Sequence, residues 1–104
     1  MGNVRQGEII RFEGTGTTAL VLSKEFFNAT GMAIVCPVVS SASADALHIA
    51  VRTGAVSGTA MLEHLKSVDL KARHYQTMGS VVFEKVQELS DAVQSMFDYY
   101  PFSI

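Results

Sequence analysis

Met32-Ala33-Ile34-Val35-Cys36-Pro37-Val38-Val39 is an unbroken apolar run of eight residues without a charge. It has the length and character of a strand buried on both faces. Polar segments bound it on either side. Lys24–Gly31 reads as a loop or a single helical turn, and Ser40-Ser41-Ala42-Ser43-Ala44-Asp45 as a small polar loop. Upstream, Glu8–Phe12 and Ala19–Ser23 are short β-prone runs joined through Glu13-Gly14-Thr15-Gly16, the pattern of a hairpin. Downstream, Leu47–Val51 predicts another strand and Arg52–Gly58 supplies turn residues. Thr59–Leu65, Lys66–Leu70 and Thr77–Val82 complete a series of about six or seven short strands. Such spacing predicts a mostly β chain, a small barrel or sandwich.

The period then changes. Phe83, Val86, Leu89, Val93, Met96 and Phe97 recur at helical spacing and predict one apolar face of a C-terminal helix. Ser80 is the expected cap at its start and Pro101 its stop. A helix closing one end of the barrel explains that stripe better than a cofactor groove does. Tyr99-Tyr100-Pro101-Phe102-Ser103-Ile104 is apolar for a free tail and is expected to pack on the body or on a second subunit.

With 104 residues the chain is expected to form one domain over its whole length, around one core. No stretch of about 20 uncharged apolar residues exists to span a bilayer, and Met1–Gly7 has no apolar core for secretion, so a cytoplasmic protein is expected. The net charge of −2 gives no general attraction to polyanions. Its distribution is uneven, because Glu84, Glu88, Asp91 and Asp98 stand against Lys85 alone in the helical segment. A nucleic-acid surface would therefore lie on the β portion. Cys36, the single cysteine, sits among apolar neighbours and reads as a buried thiol; it leaves no cysteine-based metal site, and neither a metal nor a cofactor is expected.

Several segments in order resemble the PemK/MazF toxin family, the mRNA interferase type. Gly7-Glu8-Ile9-Ile10 is similar to the family's Gly-Asp/Glu-Ile opening, and Val35-Cys36-Pro37-Val38-Val39-Ser40 to the strand that ends in Pro-(Val/Ile/Cys)-Thr. The most specific match is Gly58–Arg73, which resembles a segment ending in Asp-Gln-(Val/Pro)-(Lys/Arg)-(Ser/Thr)-(Ile/Val)-Asp-(Leu/Met)-Lys-Ala-Arg. The resemblance implies a small SH3-like barrel with a C-terminal helix, usually a homodimer. It also implies metal-independent cleavage of single-stranded RNA, restrained by an antitoxin protein. Two features depart from the pattern. The family's longer first loop, whose Arg serves the scissile phosphate, is shortened to Glu13–Thr18, so that Thr17 stands at the Arg position. His64 replaces a Gln.

Cleaving RNA without a metal requires proton transfer at the ribose 2′-hydroxyl and at the leaving 5′-oxygen, and charge stabilisation on the phosphorane. Histidine, with an ordinary pKa of about 6.5, suits either proton role. Glu63, at the family's acidic position, and His64 are therefore the catalytic candidates, with Ser40 at the family's Thr position as a hydroxyl donor. Neighbours on a strand point to opposite faces, so Glu63 and His64 share a site only if the strand ends or bulges there. Thr17, Ser41, Lys66, Lys71 and Arg73 are the candidate RNA contacts. His48 alternates with Leu47 and Ile49 and is expected to face solvent, while His74 enlarges a basic patch. The competing expectation, favoured by the missing loop Arg, is a non-catalytic binding module of the PemK/CcdB kind, acting on a protein or nucleic-acid partner.

Overall fold

The computed structural model describes residues 3–40, 42–97 and 99. Seven strands form a curled antiparallel sheet: β1 (Glu8–Phe12), β2 (Thr18–Val21), β3 (Met32–Val39), β4 (His48–Arg52), β5 (Ser57–Met61), β6 (Lys66–Asp69) and β7 (Tyr75–Ser80). The order is β4-β5-β3-β2-β1-β7, with β6 also paired to β3. A one-turn α1 (Glu25–Asn28) precedes β3, and α2 (Phe83–Ser95) follows β7.

β3 organises the rest. Along one edge it pairs with β2, through Leu20↔Cys36 and its neighbours. The other edge is shared: Met32–Val35 pair with β6, while Val38 and Val39 pair with β5. Its side chains alternate between two cores. Cys36 joins Ile9, Leu20, Ile49, Ala60, Leu62 and Leu89 beneath α2. Ala33 and Val35 join Ile10, Phe12, Ala19, Val21 and Val68 on the opposite face. The apolar run at 32–39 is thus apolar throughout because both faces of the strand are covered.

Close packing fixes the ends of this arrangement. Gly7 has φ +94, and a Cβ there would come within 2.8 Å of Val86 Cγ2, so α2 lies directly on the start of β1. At Gly58 a Cβ would meet the Val39 carbonyl oxygen at 2.5 Å, so β5 and β3 approach too closely for any side chain.

The helix differs from expectation at both ends. Ser80 is the last residue of β7, paired with Glu8, and α2 starts after Val82 with no side-chain cap. Leu89 is buried and Val86, Val93 and Met96 pack on the core, but Phe83 and Phe97 are exposed. The stripe is therefore buried over its middle and overshoots the sheet at each end. Pro101 and the tail beyond Tyr99 lie outside the described residues, and Tyr99 itself is exposed. No helix among the described residues is long and apolar enough to cross a membrane.

Candidate active-site groove

The site begins with an interruption in the β3 ladder. On the β5/β6 edge, pairing stops at Val35↔Lys66 and resumes at Val38↔Ala60. Pro37 lies within the gap and has no N–H to give a partner strand. Residues after Met61 leave the ladder there and wind into one 3-10 turn, Leu62–His64, before β6 starts at Lys66. Leu62 is fully buried and anchors the turn in the core under α2. Glu63 and His64 are left at the surface, their side chains 35% and 62% exposed, with the carboxylate Oε2 3.7 Å from His64 Nε2. The strand ends before this pair, so alternation does not separate them.

A groove of about 490 Å³ opens beside the turn. Glu63, His64, Leu65 and Lys66 form one wall; Thr17, Thr18 and Ala19 from the β1–β2 hairpin form the other; Val35, Pro37 and Phe12 lie along it. Thr17 is exposed at the base of the β1–β2 connection, where its carbonyl accepts the Phe12 N–H at 2.9 Å. Its hydroxyl shares a 2.9 Å hydrogen bond with Thr15.

Behind Glu63 lies a partner that alternation in the sequence misses. His48 opens β4 opposite Met61, and its Nε2 is 2.6 Å from Glu63 Oε2. Its Nδ1 is 3.0 Å from Asp45 Oδ2, and its side chain is 20% exposed. Period-two reading does put His48 on the outer face of β4, with Ile49 and Val51 in the core. What it cannot see is that the 3-10 turn folds over that face. The expected solvent-facing histidine is therefore half-buried and paired. The bond to Glu63, with the Asp45 charge adding to it, raises the His48 pKa above its ordinary 6.5. In return, the His48 hydrogen bond holds the Glu63 carboxyl below its ordinary 4.5. Burial pushes the Cys36 thiol up to about 12, which makes it a poor nucleophile. Among the described residues no cluster of three or more His, Cys, Asp or Glu side chains is arranged to hold a metal ion.

The other sequence candidates fall elsewhere. Lys71 and Arg73 line a separate hollow of about 930 Å³, with His74, Gln76 and Thr77. Arg73 also lies over the Phe12 ring, 3.8 Å from its centroid, so Phe12 stands between the two depressions. Ser40 is exposed just beyond β3 and does not line the groove. The expected trio of Glu63, His64 and Ser40 is thus brought together only in its first two members. Ser41 lies outside the described residues.

Comparison with known proteins places the fold. No curated protein matches the chain by sequence. Among solved structures, MazF in a MazE-MazF crystal structure from Deinococcus radiodurans superposes with a TM-score of 0.82 at 25% identity, covering 93% of this chain and 98% of that one. MazF from the same organism superposes at 0.79 with 22% identity, again over 93% and 98%. An endoribonuclease from a mycobacterial species, 12% identical over 93% of each chain, superposes at 0.79 and shares the fold. The family model described as PemK-like, MazF-like toxin of type II toxin-antitoxin system matches residues 7–97, from the start of the first strand to the end of the helix, and the chain belongs to that family.

Proposed function

We propose that this toxin is an endoribonuclease that cuts single-stranded RNA at the groove between the 3-10 turn and the β1–β2 hairpin. The observation that carries the proposal is the placing of Glu63, His64 and Lys66 on one wall of an open groove, facing Thr17. A carboxylate, an imidazole and an ammonium group within four residues supply the proton carrier and the counter-charge that phosphate transesterification needs. The family assignment and the endoribonuclease fold neighbours support the same reading.

His64, the more exposed of the pair, takes the proton of the ribose 2′-hydroxyl. The 2′-oxygen attacks phosphorus, the bond to the 5′-oxygen breaks, and the products are a 2′,3′-cyclic phosphate and a 5′-hydroxyl. The leaving 5′-oxygen, at the opposite apex of the phosphorane, takes its proton from water, and the imidazolium returns its own to the hydroxide that remains. Glu63, kept ionised by His48, stabilises the imidazolium that forms between those steps. Lys66 neutralises the phosphorane, and the Thr17 hydroxyl donates to a phosphate oxygen where the family uses an Arg. Ser40, Ser41, Lys71 and Arg73 are assigned to nucleotides flanking the cut. The partner that silences the toxin is an antitoxin protein, and the working form in the cytoplasm is a homodimer.

The test is incubation of purified protein with a single-stranded RNA in excess EDTA. Cleavage is expected, with a cyclic phosphate end, and a 2′-deoxy residue at the cut should abolish it. His64→Ala should lower the rate by about tenfold or more. RNA left intact across salt and pH would sink the proposal. Growth inhibition that survives in a Glu63→Ala, His64→Ala double variant would favour a binding module instead.

A further inference from the structure

Asp45, His48, Glu63 and His64 stand in a line from the loop before β4 to the groove, and only the last two line it. We propose that His48 is a positioning residue for RNA cleavage, clamped between Asp45 and Glu63 so that the Glu63 carboxylate is held beside His64. The inference rests on the cleavage reading above.

The clamp is legible in one hydrogen bond and one ion pair. A neutral imidazole has one N–H and can donate to one carboxylate only. Here Nε2 shares a 2.6 Å hydrogen bond with Glu63 Oε2 and Nδ1 lies 3.0 Å from Asp45 Oδ2 in an ion pair, so a carboxylate faces each ring nitrogen, which is the partner set of an imidazolium. The far end is fixed, because Asp45 Oδ1 accepts the backbone N–H groups of Leu47 and His48 at 2.9 and 3.0 Å. The middle is fixed by β4, where His48 pairs with Met61. Only the near end is left on an exposed turn, and the bond from His48 restrains it. The same Glu63 oxygen that His48 binds is the one nearest His64. Loss of His48 would free the carboxylate to turn toward water and leave His64 without a steady counter-charge.

The pH window follows from the groups that face His48, which are Asp45 from the loop and Glu63 from the turn; His64 and the buried, neutral Cys36 lie beyond Glu63. His48 is raised above 6.5, so both of its contacts are charged below 6.5, and the charge is lost as pH rises through the raised value, leaving one N–H for the two carboxylates. Glu63 is lowered below 4.5, so its bond is complete above 4.5 and is lost as pH falls through the lowered value. The charged clamp is therefore intact from 4.5 to 6.5 and opens on the alkaline side only above 6.5.

Steady-state cleavage across pH, with histidine-ring NMR titration of the free protein, tests this. His48→Ala should lower kcat about fivefold or more while KM stays within about twofold. His48→Gln, whose amide can still donate to Glu63, should recover part of that loss and lack the alkaline limb of the wild-type profile. In the NMR titration the His48 midpoint should lie above 6.5 and fall in Glu63→Gln. A folded His48→Ala with wild-type kcat and pH profile overturns the proposal, as does a ring midpoint that ignores Glu63→Gln. If His48→Ala fails to fold, Asp45→Asn in the exposed loop carries the same comparison, with an unchanged pH profile counting against the clamp. Wild-type protein that leaves RNA intact overturns the cleavage reading and the catalytic role with it. The ring titration needs no RNA and separately decides whether the clamp exists.

Discussion

Asn28 is 2% exposed and has every polar atom of its amide engaged. Its Nδ2 donates to the carbonyls of Val4 and Ser23 at 2.9 and 3.0 Å, and its Oδ1 accepts the Ser23 hydroxyl at 2.5 Å. Ser23 in turn accepts the Ile34 N–H at 2.9 Å, so one side chain ties the N-terminal segment to the end of β2 and the start of β3. Replacing Asn28 by Leu keeps the bulk and removes the partners. The expected cost is about 1–3 kcal/mol, read as a lower urea midpoint at unchanged slope. An unchanged midpoint would mean that the amide ties nothing together. Neither this residue nor His48 could be singled out from the sequence. Within Phe26-Phe27-Asn28 the amide looks like loop chemistry, and in Leu47-His48-Ile49 the imidazole looks like the wet face of a strand. Both acquire their roles from segments distant in the chain, Val4 in one case and Glu63 in the other.

At the level of elements, the strands were legible and the turn that bears Glu63 and His64 was not. β1, β2, β3 and β4 announce themselves by apolar runs set between glycine-rich or polar connections, and period alone places them. The segment Thr59–Leu65 reads as one strand because Met61, Leu62 and Leu65 continue its apolar character. It is instead β5 followed by a 3-10 turn, because Leu62 serves the core from a turn rather than from a strand. Ser80 misleads for a related reason. A serine three residues before a helical stripe has the look of a cap, but its backbone is committed to β7. The placing of the turn depends on β5 lying tightly on β3, which only a glycine at position 58 permits. Gly58→Ala is expected to cost about 1–3 kcal/mol, since the obstacle is a backbone carbonyl that must move. Thermal unfolding measures this directly, and a melting temperature equal to wild type would contradict the close contact.

Across the whole molecule, one sheet separates two cores, and the candidate groove lies at a break in its central ladder. That distribution explains why the candidate cations divide as they do. Lys66, Lys71 and Arg73 lie within eight residues of sequence, yet Lys66 reaches the groove while the others face a different hollow. Sequence proximity gave no means of telling them apart, because β6 and the turn after it carry the chain past Phe12 to the other depression. The family resemblance located the fold. It could not supply the histidine behind Glu63, since that depends on the tertiary meeting of β4 with the turn.

The lone thiol, at position 36 and sealed in the molecular interior, makes a gauge of breathing. An alkylating reagent added to the native chain has nothing to attack until the sheet parts, so labelling should report the opening of the molecule as a whole. Maleimide modification, followed by mass, is expected to be slower than that of a free cysteine peptide by about a thousandfold or more, and to accelerate with urea in step with loss of circular dichroism. Prompt labelling in native buffer would mean that the middle of the protein is far leakier than its packing implies.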